Sequence, residues 1–200
     1  VEPVPFPQWQ RNPVTNELSY ECVLSDGVSF GARLYPRRDD IEMEFHVTNN
    51  TGEPLEFVDA NMCLDLKGSP LFSKQFDTVN LFAHIDGAPT SLSKTTPSAE
   101  QKGREPWLMI RTLSGKDTWA HGSDSPTWWL VDQVADKNLM ASVSNDGKWL
   151  VGYMWSREGQ SLMTNTGNPC LHTGPGRSPA LANGETYRWF GRIYLMENNL

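Results

Sequence analysis

Three of the four histidines sit where loop-forming sequence meets strand-forming sequence. They are His84 in Phe82-Ala83-His84-Ile85-Asp86, His121 in Trp119-Ala120-His121-Gly122, and His172 in Cys170-Leu171-His172-Thr173-Gly174. An imidazole near its ordinary pKa acts as acid, base or metal ligand, and a sheet's rim is where distant residues meet. His172 leads, because Pro169, Gly174, Pro175 and Gly176 impose an irregular backbone around it. Arg177 follows closely enough to hold a carboxylate or sugar hydroxyls beside it. His84 is second: in a strand, Asp86 two residues on would face the same side, orienting the ring or joining it as a ligand. The candidate catalytic set is therefore His172, His84, His121 and Arg177. Should a sheet gather His84, His121 and His172 at one end, three neutral imidazoles with an open position would suit one Zn²⁺ or Cu²⁺ ion. His46, on the polar face of its strand, reads as a hydrogen-bonded structural or surface residue.

Eight tryptophans are many for 200 residues. Sugar rings stack their C–H faces on indoles while their hydroxyls need charged and amide groups, so loop tryptophans beside such groups suggest a saccharide. Trp107, Trp119, Trp128 and Trp129 fall in or next to loop-like sequence and are the substrate-binding candidates, with Arg111 and Asp86 for the hydroxyls. Arg104, Glu105, Asp117, Asp124 and Asp132 stand near them, and the four acids among these could supply paired carboxylates. Trp149, Trp155 and Trp189 lie in strand-like runs and read as core. The three cysteines, Cys22, Cys63 and Cys170, form no Cys-x-x-Cys and read as small buried hydrophobes, with a Cys22–Cys63 bridge left open.

The elements that must position these residues are strands. Ile41 to Thr48 alternates strictly, Ile41, Met43, Phe45 and Val47 facing one way and Glu42, Glu44, His46 and Thr48 the other. Asn49-Asn50-Thr51-Gly52 then predicts a hairpin into the apolar run Leu55 to Leu66. Ser25-Asp26-Gly27 and Asn145-Asp146-Gly147 predict two more, joining Tyr20–Leu24 to Val28–Tyr35 and Leu139–Ser144 to Lys148–Trp155. Thr186 to Met196 reads as a long closing strand. Helix is a minor component, with single turns expected in Ser69 to Thr78 and Trp128 to Lys137. Gly87 to Pro106, rich in Pro, Ser, Thr and Lys, reads as a long surface loop.

Composition narrows the function. With 17 Lys and Arg against 24 Asp and Glu, a net charge of −7 and no basic cluster longer than Arg37-Arg38, the chain lacks the positive surface that nucleic acid requires. No apolar run approaches the roughly 20 residues of a transmembrane helix. No nucleophile elbow, phosphate-binding glycine loop or EF-hand loop is present. The content of 38% hydrophobic and 10% aromatic residues fits one folded domain over residues 1–200. The proline-spaced start after Val1 reads as the end left by a removed secretory signal or by trimming of the chain, and the first of these predicts a secreted or periplasmic protein.

Three segments carry a resemblance: Ser144-Asn145-Asp146-Gly147-Lys148-Trp149, Pro169-Cys170-Leu171-His172, and Gly184-Glu185 through Gly191 to Tyr194. They resemble a group of uncharacterised, mostly secreted bacterial β-proteins common in planctomycete-like genomes. The overall look is similar to galactose-mutarotase-like β-sandwiches, which implies a carbohydrate-facing concave sheet. A mutarotase proper has a longer chain and its own His and Glu motifs, which have no counterpart here. The expectation is an all-β antiparallel sandwich with little helix that binds or processes a saccharide or polysaccharide in a cleft lined by Trp, Arg and His. Its rivals are a His-ligated Zn or Cu enzyme and a non-catalytic protein-interaction module.

Overall fold

A computed structural model of the chain describes residues 8–72, 78–95, 107–113, 128–156, 161–165 and 170–199. The strands among them are β1 (Gln10–Arg11), β2 (Leu18–Val23), β3 (Val28–Pro36), β4 (Asp40–Asn49), β5 (Asp59–Ala60), β6 (Cys63–Asp65), β7 (Leu81–Ile85) and β8 (Ala88–Ser91). They continue with β9 (Trp107–Thr112), β10 (Trp128–Val143), β11 (Trp149–Trp155), β12 (Ser161–Asn165), β13 (Cys170–Thr173), β14 (Gly176–Arg177) and β15 (Thr186–Glu197). One 3₁₀ turn, Leu92–Lys94, is the only helical segment among the described residues. The all-β expectation holds, and among the described residues every pairing is antiparallel except that of β9 with β10.

β10 joins two arms of sheet. Met140 pairs with Tyr153 of β11 on one side and Ala83 of β7 on the other, while Ala135 pairs with Thr112 of β9 and Ile85 of β7. β7 therefore runs along one edge of β10, and β9 and β11 share the other edge. One arm runs β1-β2-β3-β4-β15-β11-β10, the other β10-β9-β12-β13-β6. Their inner faces share one core: Met43, Val47, Tyr153, Trp155 and Trp189 from the first, Leu108, Ile110, Leu162 and Leu171 from the second. That is a sandwich, with alternate residues of each strand turned away from the core.

Two predicted hairpins form: Gly27 (φ 94°) turns β2 into β3, and Gly147 (φ 73°) turns β10 into β11. The third does not. Asn49 Nδ2 donates to the Glu53 and Leu181 carbonyls at 2.8 and 2.9 Å, tying the turn to the C-terminal segment, and β15 takes the edge of β4. Leu55–Leu66 then yields only β5, β6 and a bridge from Leu55 to Leu181. The helical turn expected in Trp128–Lys137 is strand, because Val131 and Ala135 are wholly buried in the core as part of β10. Gly87–Pro106 is not all loop. Asp86 and Gly87 both take positive φ (51° and 78°), a tight turn that pairs β7 with β8. Cys22 stands opposite Phe30 and all three cysteines are free, so the Cys22–Cys63 bridge does not form. Trp149, expected in the core, is 37% exposed at the tip of β11.

Candidate functional site

Leu81, Ala83 and Ile85 of β7 are buried in the core, so the pleat turns Phe82 and His84 to the opposite face. There Phe82, Leu139, Leu150, Met154, Tyr194 and Met196 wall a cavity of about 400 Å³ together with His84. It lies where β7, β10, β11 and β15 present their outward residues side by side.

The His84 ring is oriented by Asp136, not by Asp86. His84 Nδ1 hydrogen-bonds Asp136 Oδ1, and the Gly87 amide donates to Asp136 Oδ2 at 2.7 Å. Asp86 is consumed by the turn: its φ of 51° takes it out of the strand alternation that would have placed it beside His84. Asp136 reaches the ring because Ala135 pairs with Ile85 in the core, so that the next residue of β10 and the preceding residue of β7 fall side by side on the opposite face. Burial pushes the Asp136 carboxyl up, but the Gly87 amide and the His84 ring outweigh it and hold the group below its ordinary value. Nδ1 being engaged, Nε2 is the ring atom left for a ligand. Sequence spacing could not have shown Asp136, but the Asp86-Gly87 pair was a turn signal that argued against Asp86.

His172 lies elsewhere, on β13. Its cross-strand partner in β6 is Cys63, and Cys170 is two residues back on the same face. The Cys63 and Cys170 sulfurs and a ring nitrogen of His172 lie within 4.8 Å of one another. Both His172 ring nitrogens are shielded from solvent without a hydrogen-bond partner. Burial lowers the His172 pKa, with Asp65 opposing, and burial together with the Cys170 thiol pushes Cys63 up to about 12. Among the described residues this is the group able to hold a metal ion, and His84 is not in it.

The other candidates separate. Arg177 does not turn to His172: it is in β14, where its Nε donates to Asp59 at 3.2 Å and its guanidinium lies over Phe57. Arg111 shares the His172 face, since it opposes Ser161 while Met163, two residues on, opposes His172; its buried Nε has no partner. Trp107 begins β9 and Trp128 and Trp129 begin β10, with Trp107 in register with Trp128 and Leu108 with Trp129. Asp132 is exposed on β10. Trp119, His121, Arg104, Glu105, Asp117 and Asp124 lie outside the described residues.

The strand order and the outward-facing cavity can be set beside known structures. A galactose mutarotase related enzyme from Lactobacillus acidophilus is similar over 96% of this chain and 72% of its own, with a TM-score of 0.55 at 7% identity. A proposed aldose 1-epimerase from Escherichia coli K12 is similar over 95% of this chain and 69% of its own, with a TM-score of 0.54 at 9% identity. The fold is galactose-mutarotase-like. An α-galactosidase from Lactobacillus brevis contains the same arrangement within 24% of its length, at a TM-score of 0.50 and 10% identity. No family model matches the chain, and no curated protein matches it. At such identities the likeness is one of fold, and chemistry must come from the chain's own residues.

Proposed function

We propose that the protein binds a saccharide in the cavity walled by β7, β10, β11 and β15. The observation that carries this reading is the cavity itself: aromatic and aliphatic walls around His84, whose orientation Asp136 fixes. A sugar's C–H face would lie on Tyr194 or Phe82 while a hydroxyl bonds His84 Nε2, the division of labour expected of a small-molecule site. The similarity of fold to an aldose 1-epimerase and to a mutarotase-related enzyme supports a monosaccharide or chain end as the ligand. Epimerisation needs an acid and a base at the anomeric centre, and His84 with Asp136 supplies one proton-transfer group, so binding ranks ahead of turnover. The reading places the protein outside the cytoplasm, as its sequence resemblance implies; cell fractionation checks this.

Glycan-array screening followed by titration calorimetry tests the site. Binding should be lost or weakened about tenfold in Tyr194→Ala, through the missing stacking surface. Polarimetry on free aldoses tests turnover in the same samples. A saccharide whose affinity is indifferent to both His84 and Tyr194 would remove the cavity from consideration.

The rival reading, a protein-interaction module, is favoured by the exposed Trp149 and Leu195, which share one face where β11 and β15 run together. Concentration-dependent sedimentation checks self-association through that patch.

A further inference from the structure

We infer that Cys63, Cys170 and His172 form a Cys₂His site for a thiophilic d¹⁰ divalent cation, Zn²⁺ being the common example. The site is separate from the saccharide cavity and differs from a three-histidine set. Its geometry follows from pairing two short strands. Cys63 of β6 stands directly across from His172 of β13, and the pleat brings Cys170 to the same face, so two adjacent strands converge three donors without any loop having to fold around an ion. The donor atoms already lie within 4.8 Å of one another. Tetrahedral zinc with Zn–S bonds of 2.3 Å requires sulfurs about 3.8 Å apart, a closure that small side-chain rotations can supply.

Two further observations favour an ion over a chance cluster. Both His172 ring nitrogens are shielded from solvent and unpaired, a state that costs free energy unless something accepts the ring's lone pair. The strands that present the donors are fixed from behind: Leu171 and Leu162 are wholly buried, and Thr164 Oγ1 donates to the Cys170 carbonyl at 2.9 Å. Cys63 is exposed while Cys170 is buried, so the ion would sit at the sheet surface with its fourth position towards solvent. Water or the Asp65 carboxylate, which stands across from Cys170, would fill it. Two thiolates and an imidazole select a soft or borderline metal over Mg²⁺ or Ca²⁺.

The full chain, purified under reducing conditions and stripped with a chelator, should take up one Co²⁺ per chain and develop thiolate-to-cobalt charge-transfer absorption, which equimolar Zn²⁺ abolishes. The band should be lost in Cys63→Ser, whose exposed side chain is compatible with folding, and in His172→Gln it should shift or vanish. It should persist in His84→Ala. Circular dichroism confirms that each variant is folded. Absence of a thiolate band in the reduced wild-type protein overturns the site, and so does a band unchanged by Cys63→Ser. A Cys63–Cys170 disulfide that persists under mild reductant and precludes uptake overturns it too.

Discussion

His84 and Asp136, the outward neighbours of the Ala135–Ile85 pair, are held together across β7 and β10 by a hydrogen bond, and the Gly87 amide fixes the second carboxylate oxygen. Because Asp136 is held below its ordinary pKa, it contributes stability that is fully present above the unfolded-state value. That contribution disappears as pH falls through the lower folded-state value, that is, from about pH 4 downward. Asp136→Asn should therefore be less stable than wild type at neutral pH by about 1–2 kcal/mol. The difference should shrink in acid, as urea midpoints at several pH values will show. A gap that does not change with pH would mean that the carboxylate's charge is irrelevant.

Trp189 and Trp149 should respond to truncation by very different amounts. Trp189 is 1% exposed, its ring packed edge-on against Tyr187 with centroids 4.8 Å apart, so Trp189→Ala should cost about 3–5 kcal/mol. Trp149→Ala should cost about 1 kcal/mol or less, since the indole is already at the surface. Denaturant unfolding of the two variants measures both. The pair shows what alternation encodes. Trp149, Val151, Tyr153 and Trp155 share one face as the pattern requires, and the last three are buried. How far a strand end extends past the core is set by the opposing arm, which period-2 patterning does not contain.

A second polar contact was equally hidden. Glu21 Oε2 bonds His46 Nε2 at 2.9 Å although their strands are separated by β3, because the residue between them in register is Gly31. A Cβ there would sit 2.6 Å from Glu21 Oε2 and 2.5 Å from the Tyr20 carbonyl oxygen. Gly31→Ala should displace Glu21 and destabilise the protein by about 1–3 kcal/mol. Adding Glu21→Ala should recover only part of that loss, since the Tyr20 carbonyl stays in place; thermal unfolding of the single and double variants checks this.

The same physics separates what was legible in the site from what was not. His84 and His172 stood out through residue type and local backbone irregularity, both of which are sequence properties. Asp136 and Cys63 are partners supplied by strand pairing between segments far apart in the chain, and pairing register follows from burial of one face across the whole sheet. Strand content and the closing strand Thr186–Glu197 were readable because one strict alternation has one solution. The missing hairpin after Asn49 was not, because Leu181 competes for that turn from the other end of the chain.

Two glycines distinguish folding from binding. Gly191 lies in β15 between Met43 and Trp155, and a Cβ there would meet the Met154 carbonyl oxygen at 2.7 Å and Met43 Cε and Trp155 Cδ2 at 2.8 Å. The carbonyl belongs to a paired strand and cannot retreat, so Gly191→Ala should destabilise by about 1–3 kcal/mol. Gly152 lines the cavity, and its Cβ would meet Tyr194 at 3.6 Å and Leu139 at 3.8 Å, ordinary contacts. Gly152→Ala should leave stability unchanged or raise it by up to about 0.5–1 kcal/mol, as alanine restricts the unfolded chain more than glycine does. The added methyl would nevertheless stand on the cavity floor beside Tyr194, where it lifts a sugar ring off the aromatic face. Affinity for the saccharide should fall while the melting temperature holds. A Gly152→Ala protein that binds as tightly as wild type would show that the ligand lies on another face of the sandwich.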